Sequence, residues 1–159
     1  MPQHLPPRES LTVELKSDRS KLPDRELIEA LICLANAEGG ELWLGVEDNG
    51  THTGLHAEHH LLNGLAGMVA ARTSPSLNVQ AEALDLDGVT VARIHVPKAQ
   101  GEVATTSGVY LRRRLKYYGT PECIAMLPHD QAAKLLKRMK DKGTLIQQSE
   151  RRWSVYKLS

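Results

Sequence analysis

Acidic side chains stand at the ends of two short apolar segments near the start of the chain. In Leu11–Lys16 the apolar residues Leu11, Val13 and Leu15 alternate with Thr12, Glu14 and Lys16, the period of a half-buried strand, so Glu14 and Lys16 share one face. A second strand is expected over Glu41–Glu47, delivering Glu47 and Asp48 to a turn at Asn49-Gly50, where the backbone needs positive φ. Carboxylates gathered at strand ends suit hard divalent cations, which take oxygen ligands and assist phosphodiester cleavage. Lys16 would pair with a carboxylate or approach a phosphate. Without a metal, Glu14 and Lys16 are an ordinary surface pair worth about 0–1 kcal/mol.

Two other groups of side chains carry possible chemistry. Arg112, Arg113, Arg114 and Lys116 are interleaved with Tyr110, Tyr117 and Tyr118. Cations beside aromatic rings neutralise phosphates and stack bases; the alternative is that the basic residues simply coat a solvated helix and a hairpin. The charge distribution points the same way. Residues 1–110 hold 8 Lys/Arg against 15 Asp/Glu, whereas residues 111–159 hold 12 against 4. The basic C-terminal part is therefore the place to look for nucleic acid. The third group is His52, His56, His59 and His60, whose spacing at a helix start would direct imidazoles toward one metal. No cysteine lies nearby to complete a closed site, and a solvated His-rich helix start is the commoner arrangement.

The elements that must position these groups can be read from periodicity. Leu27, Leu31, Leu34 and Ala35 recur at helical spacing after Asp24, a candidate N-cap, and Gly39-Gly40 ends the helix. A second helix is expected from Ala57 to Arg72, weakened by Gly64 and Gly67. Asn78–Leu86 and Val89–Val96 read as strands joined at Asp87-Gly88, and Val109–Arg114 as a later strand. Asp130–Lys142 forms an amphipathic helix bearing Lys134, Lys137, Arg138 and Lys140, stopped by Gly143. Leu145–Gln148 and Trp153–Leu158 would pair across a basic loop containing Arg151 and Arg152. This ending resembles the last helix and wing of a winged helix-turn-helix domain, although only Pro121–Leu127 is available to supply an earlier helix. Equally, the helix and hairpin could pack as a dimerisation appendage.

The order E-S-x-x-x-E-x-K, a helix ending L-A-N-A-E-G-G, and then L-W-L-G-V-E-D-N-G-x-x-x-G-L resembles the Schlafen AlbA-like domain, a nucleic-acid-associated module of bacterial regulators and animal Schlafen proteins. The likeness extends more loosely to about residue 125, through Ile94-His95-Val96-Pro97 and Val109-Tyr110-Leu111-Arg112. The family usually places Phe in its A-x-A-N segment, where this chain has Cys33-Leu34-Ala35-Asn36. The resemblance implies an α+β fold over residues 1–126, a mixed sheet flanked by helices, with residues 127–159 as the appended helix and wing-like hairpin. It also implies that Glu9, Glu14 and Asp48 match the three acidic residues of the nuclease members, with Mg²⁺ or Mn²⁺ as cofactor if the chain is a nuclease and none otherwise. Glu47 is a neighbour able to substitute for Asp48. Animal Schlafen cores resemble two such lobes joined into a clamp, so a homodimer would rebuild that surface.

Composition bounds the rest. A chain of 159 residues with 41% hydrophobic and 25% charged residues is ordinary for a globular protein. No apolar run approaches the roughly 20 residues a bilayer requires, and Met1–Arg8 lacks the apolar core of a signal peptide. Cys33 and Cys123 lie far apart in sequence and give neither a disulfide framework nor a metal knuckle, so both are expected reduced in a cytoplasmic protein. The glycines at 39, 40 and 45 sit in no G-x-x-x-x-G-K-[ST] loop, which argues against a P-loop ATPase. The leading expectation is DNA binding in a bacterial-type transcriptional regulator. The alternatives are a Schlafen-like endoribonuclease acting on tRNA or other structured RNA, and a protein-interaction module.

Overall fold

The apolar alternation near the start becomes strand β1 (Val13–Lys16), and the helical stripe behind it becomes α1 (Asp24–Asn36). The structure is a computed structural model that describes residues 8–126, 129–143, 145–147 and 156–158. Pro23, with φ −58° and ψ 140°, occupies the position before the helix, so Asp24 is its first residue rather than its N-cap. Asp24 and Glu26 still lie in the first turn, where negative charge complements the helix dipole. At the far end the N–H groups of Ala37 and Gly39 both donate to the Leu34 carbonyl, at 3.1 and 2.8 Å, and Gly39 takes φ 72°. Strand β2 (Gly40–Leu44) begins at once. A Cβ on Gly40 would collide with the Thr12 carbonyl, to which Glu41 N–H donates at 2.8 Å. The glycine pair therefore both stops the helix and lets β2 close on the residues before β1.

Strand β1 runs parallel to β2, as a helical crossover requires. The chain then makes a single 3₁₀ turn, Ala57–His59, and a short helix α2 (Leu65–Ala71). The continuous helix expected over residues 57–72 is thus broken, because Gly64 enters α2 with a left-handed φ of 84°. After the two-residue strand β3 (Thr73–Ser74) come β4 (Gln80–Leu86) and β5 (Val89–Val96), paired antiparallel through a turn in which Asp87 and Gly88 both have positive φ. The first sheet has the order β1-β2-β5-β4. Leu27, Leu31 and Leu34 of α1 pack on Leu42, Leu44, Ile94 and Val96 from one face of it, while Leu15, Trp43, Val46, Leu86 and Val91 cluster on the other. Each such side chain contributes about 1.5–3 kcal/mol when fully buried.

The later strands form a second sheet rather than extending the first. Strands β6 (Ala104–Thr105), β7 (Tyr110–Leu115) and β8 (Pro121–Met126) join β3 in the antiparallel order β3-β6-β7-β8. Helix α1 touches both sheets. Its Asn36 fastens the join, donating to the carbonyls of Val103 (2.8 Å) and Leu111 (2.7 Å) and accepting from Val103 N–H. The architecture is α+β as expected, with three helices among the described residues.

Cys33 and Cys123 are joined in a disulfide, which corrects the expectation of two free thiols. Ninety residues separate them in sequence, but Cys33 lies on α1 and Cys123 on β8, and their Cα atoms are 6.0 Å apart, within bridging range.

The chain divides into two compact units, Met1–Met126 and Leu127–Ser159. In the second, α3 (His129–Asp141) is amphipathic, with Ala132, Leu135, Leu136 and Met139 half-buried and the lysines and arginine exposed. Strands β9 (Leu145–Gln147) and β10 (Tyr156–Leu158) pair antiparallel. The stretch that would have supplied an earlier winged-helix helix is instead strand β8, its residues paired with β7.

Candidate functional site

Strand alternation splits the three consecutive arginines of β7. Arg112 and Arg114 are exposed, whereas Arg113, opposite Cys123 in the ladder, is only 4% exposed. Its Nε donates to the Ser10 carbonyl at 2.8 Å, one Nη to the Val13 carbonyl at 2.7 Å, and the other Nη to the Glu14 carboxylate. Lys16 Nζ lies 3.3 Å from the second Glu14 oxygen. Arg113 was expected to meet nucleic acid; it is spent inside the protein, holding β1. Arg114 Nε donates to Glu122 at 2.7 Å and Lys116 Nζ lies 3.4 Å from the same carboxylate. The hydrogen bond from Arg114 is the main cause holding the Glu122 carboxyl below its usual range, with Lys116 assisting. Arg112 has no acidic partner among the described residues.

Between β7 and β8 the chain turns at residues 116–120, where Lys116 N–H donates to the Thr120 carbonyl at 2.7 Å and Gly119 N–H to the Lys116 carbonyl at 2.8 Å. This tip presents Tyr117 and Tyr118, 96% and 91% exposed. The rings meet edge to face, with centroids 5.4 Å apart and planes at 82°.

Tyr118 lines an open cleft of about 670 Å³ together with Gly119, Thr120 and Pro121 of the hairpin and with Arg8, Glu9, Leu15, Asp48 and Asn49. Glu9 is half-buried and accepts from Leu15 N–H at 3.3 Å. Burial pushes its carboxyl above the ordinary value, the charges of Glu14 and Asp48 push the same way, and the Leu15 N–H and Arg113 oppose them. Asp48 is exposed on its turn. Glu47 is committed elsewhere. One of its oxygens accepts from the hydroxyls of Thr53 (2.6 Å) and Ser17 (2.7 Å), and these bonds, that of Thr53 first, draw its carboxyl below the usual range.

Oxygen donors of this kind suit Mg²⁺ or Mn²⁺ chemically. The placement does not: Glu14 is held by Arg113 and Lys16, and among the described residues no three His, Cys, Asp or Glu side chains are gathered to hold a metal ion. The residues as positioned do not fit a three-carboxylate centre.

The histidines also part company. His59 is buried and its Nδ1 lies 2.8 and 2.9 Å from the two oxygens of Asp18, a fully buried carboxylate that also accepts from the N–H groups of Leu22 (2.9 Å) and His56 (2.7 Å). His56 Nδ1 accepts from Glu58 N–H, His60 Nε2 lies 3.2 Å from the Leu55 carbonyl, and the buried His52 Nδ1 has no hydrogen-bond partner. The Asp18–His59 pair escaped the sequence reading because 41 residues separate its members and no periodicity links a loop to a 3₁₀ turn. Lys134, Lys137 and Arg138 are exposed on α3, and Arg151 and Arg152 lie outside the described residues.

No helix among the described residues is long and apolar enough to cross a membrane. Comparison with known proteins gives a sequence-family match, that of Schlafen, AlbA_2, over residues 9–117. No curated protein matches significantly. Among solved structures, the DIP2311 protein from Corynebacterium diphtheriae aligns at 19% identity and TM-score 0.58, covering 87% of this chain. The chain spans only 30% of that protein's length. The N-terminal domain of a protein from Nitrosomonas europaea, described as ATP-dependent DNA helicase RecG-related, aligns at 24% identity and TM-score 0.50, covering 76% of this chain and 87% of that domain. These likenesses are of fold.

Proposed function

Because the chain belongs to the Schlafen, AlbA_2 family, we propose that it binds nucleic acid, in the DNA-binding role of a bacterial-type transcriptional regulator, and does not cleave it. The observation that carries this reading is the β7–β8 hairpin, which carries two almost fully exposed tyrosines at its tip, Tyr118 lining an open cleft, and the exposed Arg112 and Lys116 on the chain leading to it. Rings and cations so placed supply both halves of nucleic-acid affinity, stacking and charge neutralisation. The exposed Lys134, Lys137 and Arg138 of α3 add phosphate contacts in the second unit. Catalysis is set aside because the Glu14 carboxylate is occupied by Arg113 and Lys16.

A mobility-shift and cleavage assay on end-labelled tRNA, single-stranded DNA and duplex DNA, with Mn²⁺ or EDTA, tests this directly. Binding that weakens steeply with salt, and no cleavage, is expected. Mn²⁺-dependent cleavage lost in Asp48→Asn with binding retained would replace the regulator reading by a Schlafen-like endonuclease. Absence of binding at low salt would leave a protein-interaction module. A second copy would place two hairpins on one nucleic acid, and light scattering that finds a monomer at working concentration removes that arrangement.

A further inference from the structure

We propose that the tip of the β7–β8 hairpin takes unpaired bases, so that the ligand of this site is a single-stranded segment of nucleic acid rather than continuous duplex. The inference rests on the nucleic-acid reading above and names its substrate class.

Tyr117 and Tyr118 do no packing that the fold requires, being 96% and 91% exposed. Their edge-to-face contact uses one ring edge and one ring face and leaves the other faces in water. A flat aromatic face is matched by the face of a base, and in a duplex those faces are already covered by neighbouring base pairs. Apart from the two end pairs of a duplex, only unpaired bases present them. The hydrogen bonds across residues 116–120 fix the turn that carries the rings.

Charge assigns the parts of the ligand to different places. The cleft that Tyr118 lines also carries Glu9 and Asp48, which accept from the amino groups on base edges, and Arg8, which attracts phosphate. Further cations lie along the hairpin, with Arg112 exposed and without an acidic partner among the described residues, and Lys116 56% exposed in its side chain although paired with Glu122 at 3.4 Å. A strand laid along the hairpin would keep its phosphates near Arg112 and Lys116 and turn a base inward onto Tyr118.

The test is fluorescence anisotropy on the full chain with a labelled mixed-sequence 15-mer as single-stranded DNA, as RNA of the same sequence, and as duplex DNA, at low and physiological salt. Single strands are expected to bind tighter than the duplex, and the DNA and RNA arms decide the sugar preference. Tyr118→Ala and Tyr117→Ala should each weaken single-strand binding roughly five- to a hundredfold without a change in melting temperature, with Tyr118→Phe close to native. Equal affinity for single strand and duplex overturns the inference. So does unchanged single-strand affinity in the double alanine variant while Arg112→Ala weakens binding, and nucleic-acid binding as such then survives. No binding to any of the three probes at low salt removes both.

Discussion

Arg113 and Glu14, separated by 99 residues in sequence, form a buried ion pair that spans from the second sheet to the first strand of the first. The same guanidinium donates to the carbonyls of Ser10 and Val13, so one side chain satisfies three acceptors around β1. A carboxylate that the sequence places among candidate metal ligands is, in the folded chain, a structural anchor.

Removing one partner of a buried pair costs up to about 3–5 kcal/mol. Here Lys16 stays beside Glu14, so the loss falls toward the lower part of that range, and it includes the donors taken from the Ser10 and Val13 carbonyls. Arg113→Ala is therefore expected to lower the urea midpoint sharply. Arg113→Lys should also destabilise, since one ammonium lacks the fork that reaches several acceptors at once. Replacing both partners by apolar residues should recover much of the loss. An unchanged midpoint in Arg113→Ala would show that the pair carries no weight.

Local patterns made much of the fold legible. The alternation in Leu11–Lys16, the α1 stripe, the Gly39-Gly40 stop and the Asp87-Gly88 turn each rest on a few neighbouring residues and appear as elements at nearly those positions. What was not legible depends on distance. Three arginines in a row look alike, but their alternation on β7 turns Arg113 inward, and only the second sheet's position against β1 shows what it meets. Cys33 and Cys123 approach through the same long-range packing, and Glu47 is claimed by Ser17 and Thr53, hydroxyls with no special spacing. The α2 stripe misled because Gly64, noted as a weakness, takes a conformation that ends helical continuity.

Glu9 gives a pH signature. Its carboxyl sits above the ordinary value of 4.5 in the folded chain, because of burial first and of Glu14 and Asp48 next. The folded state thus holds that proton more tightly than the unfolded one. This favours folding fully below the ordinary value and is lost as pH rises through the raised one. Glu9→Gln should accordingly melt higher than the native chain at neutral pH, with the difference shrinking toward zero as pH falls below 4.5. Melting curves of both proteins across that range decide it. A variant less stable at neutral pH would mean that the Glu9 charge is compensated by something other than Arg113 and the Leu15 N–H.

The Cys33–Cys123 bridge closes a long loop and ties α1 to β8. Cross-links of this kind stabilise typically by about 2–4 kcal/mol, mostly by restricting the unfolded chain. Cys123→Ser should lower the melting temperature, and dithiothreitol should lower that of the native chain to a similar value while leaving the variant unmoved. Thiol titration of the denatured, unreduced protein should find no free thiol. Two free thiols together with indifference to dithiothreitol would overturn the bridge.

Asp18 organises the approach to the 3₁₀ turn from a fully buried position. It accepts from Leu22 N–H and His56 N–H with different oxygens and lies against His59 Nδ1 with both. Asn in its place is nearly isosteric but offers one acceptor oxygen and an amide that would point its own hydrogens at a donor. At least one backbone N–H would be left unsatisfied in the interior, at a cost of about 1–3 kcal/mol. Asp18→Asn is expected to lower stability by that amount and to speed hydrogen exchange at Leu22 or His56 beyond what the global loss accounts for. His59→Ala should leave both amides protected, because their acceptor remains in place. Were His59→Ala to expose them as much as Asp18→Asn does, the histidine rather than the carboxylate would be holding the two segments together.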